Sequence, residues 1–218
     1  MKRLQSDIKQ VKGTMTAIRE DLKTLEIMET FSMKYNNIRI VDVKSTETFW
    51  GNKKYALALG IKASSNDHLL FTDADCKPVS KNWITKMMTQ FTGEKQIILG
   101  YGKYLEEPKL VNLLVRYETL LTAIQYFSYT KAGIPYMAVG RNLAYHKSEF
   151  YKVKGFTNHM HLKSGDDDLF IQEASDKKNV TIQTSSEAFT ISKGPDSFKQ
   201  WFHQKRRHIS TANYYKLK

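Results

Sequence analysis

The chain has 218 residues, with 34 Lys plus Arg against 22 Asp plus Glu for a formal charge of +12, and it is 41 % hydrophobic and 12 % aromatic. That length and apolar content support a core without staples and exclude a disordered or fibrous protein. Cys76 is alone, which excludes an intramolecular disulfide framework and a cysteine-rich zinc site and fits a reducing cytosolic setting. The positive surplus points to an anionic partner: a nucleotide, a nucleic acid or an acidic membrane surface. Membrane spans of about eighteen apolar residues are missing, since the most apolar stretch, 110–127, is broken by Arg116 and Glu118. Residues 1–20 mix Lys, Arg, Asp and Gln without the apolar centre of a secretory signal.

Residues 2–33 contain no proline and one glycine and read as helix, weakened around Gly13 and its flanking threonines; no strand is expected before residue 37. Ile38 to Val43 is β-branched and alternating, a strand signal. Residues 51–63 read as helix, with Tyr55, Leu57, Ala58 and Ile61 available to cover a sheet. His68 to Thr72 is a short apolar strand of the kind buried on both faces of a parallel sheet, and it runs straight into Asp73-Ala74-Asp75. A helix over 82–91, with Ser80 as its N-cap, and a strand over 96–100 follow. Leu110, Leu113, Leu114, Tyr117, Leu121, Ile124 and Phe127 keep three-and-four spacing, which predicts a long helix with this stripe packed in the core. Residues 132–156 change to loops and short strands. Helix over 166–175, strand over 180–183 and a terminal helix over 198–214 complete the order. Strands alternating with helices predict an α/β sandwich with a mostly parallel sheet.

Three charged clusters stand out. Asp73-Ala74-Asp75 follows a buried strand, where open α/β sheets bind ligands, and two carboxylates one residue apart can face one hard cation such as Mg²⁺ or Mn²⁺; a turn or helix cap is the plainer alternative. Asp166-Asp167-Asp168 places three carboxylates together, which repel unless a cation or a helix start balances them. Gln204-Lys205-Arg206-Arg207-His208 could bind a pyrophosphate through guanidinium forks, or form a solvated basic face. His159 and His161 are candidates for a further metal ligand, with satisfied histidines as the alternative, and Cys76 reads as a small buried thiol. Trp201, Phe202 and His203 fit an acceptor-facing or membrane-facing surface, or helix packing.

The order of these clusters, with Gly140-Arg141-Asn142-Leu143-Ala144-Tyr145 and Gly155-Phe156, resembles inverting family-two glycosyltransferases of the GT-A fold, bacterial and membrane-associated, over about residues 36–214. The resemblance implies a Rossmann-like αβα sandwich and transfer of a sugar from a nucleotide-diphosphate sugar, a UDP-sugar, to a saccharide or lipid-linked acceptor, as a hexosyltransferase of polysaccharide biosynthesis at the cytoplasmic face of the inner membrane. It implies Asp73 and Asp75 on an Mg²⁺ or Mn²⁺ ion, Asp166 as the base with Asp167 one register on, and Lys53, Asp73, Gln204 and Arg207 on the donor. Gly165 stands where the family has Glu, and His208 where processive members have Trp. Two opening strands and an acidic loop are expected and not found, Glu20-Asp21 being a faint echo. The chain therefore reads as a helical segment, 1–35, before a catalytic domain, 36–218, that lacks its first nucleotide-binding strands. An inactive, interaction-only relative is the main alternative. A basic nucleic-acid module is the remote one, since no zinc pattern, helix-turn-helix or aromatic-basic sheet is present and nucleic acid is not an expected partner.

Overall fold

The structure is a computed structural model and describes residues 13–17, 22–43, 53–162 and 164–215. Its opening elements are β1 (Gly13–Ala17), α1 (Leu22–Lys34) and β2 (Ile38–Asp42), and β1 and β2 pair in parallel with Gly13 opposite Ile38. This corrects the expectation of continuous helix over 2–33 with no strand before residue 37. Thr14 and Thr16 are β-branched and Gly13 is a poor helix former, so helix is locally weak there. What makes the segment a strand is a partner 25 residues away, which no local pattern reveals. Residues 1–12, the expected helix start at 51–52, and Glu20-Asp21 lie outside the described residues.

Among the described residues the central sheet has four strands in the order β3 (His68–Phe71), β7 (Leu143–His146), β5 (Ile97–Leu99), β8 (Val180–Ile182). β7 runs antiparallel to both β3 and β5, and β5 parallel to β8, so the sheet is mixed where a mostly parallel one is expected. β3 is correspondingly an edge strand of this sheet paired with an antiparallel neighbour, not a strand inside a parallel sheet. A smaller sheet has the spatial order β4 (Lys77–Pro78), β9 (Thr190–Ser192), β6 (Gly102–Tyr104).

The pleat sends alternate residues to opposite faces, and the strands use it to build two cores. Leu69, Ile97, Leu99, Leu143 and Tyr145 face one way, against Ile61 of α2 (Lys53–Ala63), Tyr126 of α4 (Leu110–Lys131) and Phe170 of α6 (Asp168–Ala174). Leu70, Ile98 and Ala144 face the other way, against Trp83 and Met87 of α3 (Trp83–Met88). The helices predicted over 82–91 and 166–175 are thus found in shorter form. Between β7 and α6 lies α5 (Lys147–Lys152), and the last helix is α7 (Phe198–Ile209), followed by a 3₁₀ turn at Ala212–Tyr214.

α4 corrects the sequence reading in an instructive way. Of the stripe expected in the core only Phe127 packs against it, and the rest is outer face: Leu110 and Tyr117 are 65 % exposed and Ile124 53 %, with Leu113, Leu114 and Leu121 also exposed and Leu120 exposed among them. Val111, Val115, Ala123 and Tyr126 are the residues that turn inward. The helix is apolar on both sides, so periodicity alone could not choose which side meets the sheet.

Candidate functional site

The carboxyl end of β3 delivers Asp73 and Asp75, and because β7 is antiparallel to β3, its amino end brings the turn Gly140–Asn142 to the same edge. Asn142 fixes that turn. Wholly buried, its Oδ1 accepts from the Trp83 indole at 3.0 Å, and its Nδ2 donates to the carbonyls of Tyr101 and Ala188 at 2.9 and 2.8 Å.

Lys53, the first residue of α2, joins two of the sequence motifs. Its Nζ lies 2.9 Å from Asp73 Oδ1 and 2.9 Å from Asp166 Oδ2. Burial works against the ammonium, but Asp166 and Asp73 outweigh it and hold its pKa above the ordinary lysine value. The ligand atoms of Asp73, Asp75 and Cys76 lie within 4.8 Å of one another. Two converging carboxylates suit a hard divalent cation. Cys76 does not add to them: burial, with Asp75 and Asp73, pushes its thiol up to about 11, so it stays protonated at neutral pH.

The acidic triplet opens α6, and its three members have separate partners. Asp167 is the N-cap: its Oδ1 accepts from the Asp168 N–H at 2.9 Å and its Oδ2 from the Gly140 N–H at 2.7 Å. Burial and the flanking Asp166 and Asp168 push its pKa up to about 7, Lys53 and the Gly140 N–H pulling the other way. Asp168 accepts at Oδ2 from the hydroxyls of Thr211 and Tyr215, both at 2.7 Å. Asp166 has Oδ2 on Lys53 and no other hydrogen bond among the described residues. Gly165 adopts φ +93°, and a Cβ there would come within 2.6 Å of Leu169 Cδ1, so the position favours glycine.

Lys54, the next residue after Lys53, is fully buried and donates from Nζ to the carbonyls of His159 at 2.6 Å and Leu162 at 3.2 Å, holding the segment that leads into the triplet. His159 is 4 % exposed, beside Phe156 and 4.0 Å from Glu173; burial and Lys54 lower its pKa, and it sits in the core instead of beside Asp73 and Asp75. His161 faces the Tyr214 ring.

Gln204 and Arg207 sit on α7. Gln204 Nε2 donates to the Tyr104 hydroxyl at 3.2 Å, and the Arg207 carbonyl accepts from Ser164, next to Gly165. Neither is among the partners of Lys53, Asp73 or Asp166. α7 leans on α4 through Glu118, which accepts from the Trp201 indole at 2.9 Å and pairs with Lys205. Between them lies a cavity of about 70 Å³ lined by Tyr104, Glu118, Arg141, Gln204, Lys205 and His208 among others. Lys54, Asn142 and the Thr211–Tyr215 clasp on Asp168 escape sequence reasoning: a lysine, an amide and two hydroxyls carry no local sign of burial. Arg141 lies within the Gly140–Tyr145 motif, and nothing local in the sequence marks its side chain for a role.

No family model matches the chain, and no curated protein matches it by sequence. By structure it is similar to the mannosyltransferase PcManGT from Pyrobaculum calidifontis, in complex with GDP-Man and Mn²⁺, at TM-score 0.61 and 12 % identity over 92 % of this chain and 54 % of that one. It is also similar to S. aureus TarS 1–349 in complex with UDP-GlcNAc, at TM-score 0.57 and 14 % identity over 89 % and 54 % of the respective chains. The chain thus spans little more than half the length of these solved structures. Its fold is that of the GT-A glycosyltransferases, with a mixed central sheet.

Proposed function

We propose that the chain is the donor-binding and catalytic part of a metal-dependent, inverting hexosyltransferase of the family-two type, moving a sugar from a UDP-sugar to a saccharide or lipid-linked acceptor in polysaccharide biosynthesis. The observation that carries this reading is the Lys53 bridge: one ammonium, 2.9 Å from Asp73 and from Asp166, draws the Asp-x-Asp and the later acidic motif to one place. Direct displacement with inversion puts the leaving diphosphate and the incoming hydroxyl on opposite faces of one anomeric carbon, and two acidic motifs opening on one cleft can serve one each. The donors and Mn²⁺ named for the structural neighbours support the same class of donor and cation here.

Asp73 and Asp75 are the residues that would hold Mg²⁺ or Mn²⁺, which supplies neutralisation of the departing diphosphate. Asp166 is the base. Its Oδ1 is not engaged among the described residues, which leaves that oxygen to take the acceptor hydroxyl proton as the new bond forms, a contribution of about 10²–10⁴-fold. Asp167, whose two oxygens both accept backbone N–H groups, positions the Gly140 turn against α6 instead. Gln204 and Arg207 bring α7 to the donor, and the Lys53 charge balances its diphosphate.

The same reading includes peripheral contact with the cytoplasmic face of the inner membrane, by the apolar outer face of α4 with exposed Phe198, Phe202, Lys199 and Arg206 of α7. No helix among the described residues is long and apolar enough to cross a membrane. The test is calorimetric titration of UDP with and without Mn²⁺. Binding that requires the ion and is lost in Asp75→Ala is the expected result. Equal binding in excess chelator overturns the metal assignment, and no binding under any condition favours the interaction-only relative.

A further inference from the structure

Arg141 immediately follows Gly140, whose N–H binds Asp167, but its side chain leaves the carboxylates and crosses to β6. The guanidinium carbon stands 4.5 Å over the centre of the Tyr104 ring. Its stem fills the space at Gly102, where a Cβ would meet Arg141 Cγ and Cδ at 2.7 Å, so β6 is shaped to seat this arginine. The Thr190 hydroxyl donates to the Arg141 carbonyl at 3.0 Å and fixes the backbone beneath it.

The guanidinium is half-buried in the cavity between α4 and α7, and no carboxylate pairs with it among the described residues. The other cation of the cavity, Lys205, is neutralised by Glu118. A stacked, half-buried guanidinium with no carboxylate partner among the described residues presents five donors in a fork that matches a carboxylate or phosphate. Burial and the cations Lys205, Arg207 and Arg141 push the His208 imidazole down to about 4, which marks the same spot as electropositive and leaves His208 neutral. The cavity has room for a group of a few heavy atoms, such as the charged end of a larger molecule.

We propose that this cavity is an acceptor subsite, and that Arg141 selects an acceptor carrying an anionic group, a phosphate or a carboxylate, close to the hydroxyl that receives the sugar. The inference rests on the transferase reading. Of the residues placed on the donor, Gln204 alone lines the cavity, at the side where the two sites would adjoin; Lys53, Asp73, Asp75, Asp166 and Arg207 do not, and the turn that carries Arg141 touches Asp167 at the start of α6, so an acceptor is assigned.

The experiment titrates three small probes, glycerol 3-phosphate, methyl glucuronoside and neutral methyl glucoside, against the full chain saturated with UDP and Mn²⁺, read by ligand-observed NMR. The two anions should bind at least about tenfold more tightly than the neutral glucoside, an advantage that fades in high salt and disappears in Arg141→Gln while UDP affinity stays within about twofold. Arg141→Lys keeps the charge without the fork and should retain part of the advantage, which serves if the glutamine variant does not fold. Equal binding of charged and neutral probes overturns the proposal. So does a tenfold loss of UDP affinity in Arg141→Gln, which would put the arginine on the donor diphosphate. If the wild-type chain binds no UDP yet shows the Arg141-dependent preference, the donor reading fails and the anion site stands.

Discussion

The phenol of Tyr215 donates to Oδ2 of Asp168 at 2.7 Å, joining residues 47 apart in sequence and pinning the chain after α7 onto the first turn of α6. Thr211 donates to the same oxygen. With both hydroxyls removed, in Thr211→Val with Tyr215→Phe, the buried Asp168 carboxylate loses two charge-assisted bonds. The expected loss is about 1–3 kcal/mol per bond, less than additive, measured by urea denaturation. Retention of full stability would show that the clasp contributes nothing.

Asp166→Asn keeps the shape of the proposed base but cannot accept a proton. In an assay of transfer, turnover should fall by about 10²–10⁴-fold with UDP affinity retained. Asp167→Asn should leave UDP binding intact and weaken turnover less, since its loss disturbs the Gly140 contact instead of removing the base. The reverse ranking would move the base one residue along the triplet.

Asp167 also sets a pH dependence. Its acid keeps its proton in the folded chain up to about 7, whereas an ordinary aspartate releases it near 3.8, so between those values the folded state binds more protons than the unfolded one. The stability it contributes is complete below about pH 4, is lost as pH rises toward 7, and changes no further above that. Denaturation of wild type and Asp167→Asn across pH 4 to 8 should show the wild-type margin shrinking through this window. A constant margin would refute the raised pKa.

The two apolar faces of α4 should respond differently to mutation. Leu113→Gln and Ile124→Gln lie on the exposed face and should alter stability by no more than about 0.5 kcal/mol while reducing retention on anionic vesicles. Val115→Ala, at 1 % exposure, should cost about 2–3 kcal/mol. Strong destabilisation by the glutamine variants would mean the outer stripe is packed after all.

Much of the layer order was legible because β-branched strands and amphipathic helices announce themselves locally: β2, α2, β3, β5 and α7 lie within a few residues of where the sequence places them. The failures share one cause, that the deciding partner is distant. β1 depends on β2, the direction of β7 on its pairing with β3, and the orientation of α4 on which of two apolar faces the sheet meets first. In the site, the meeting of Asp73 with Asp166 was implied by motif order. The Asn142 hub was not, because an amide that satisfies an indole and two carbonyls looks in sequence like any loop asparagine.

Lys53 and Lys54 are chain neighbours with opposite fates, and the contrast makes them a built-in clock. Lys53 has a side chain 44 % exposed, whereas Lys54 is sealed inside, holding the carbonyls of His159 and Leu162, with its pKa lowered by burial. An amine-reactive ester should label Lys53 from the folded chain, slowed by its firmly held proton. Lys54 can react only when the 159–162 segment lifts away and exposes its amine. The rate at which label arrives at residue 54, read by mass spectrometry, therefore times the opening of the segment that precedes the acidic triplet, and any ligand that closes the cleft over that triplet should slow it.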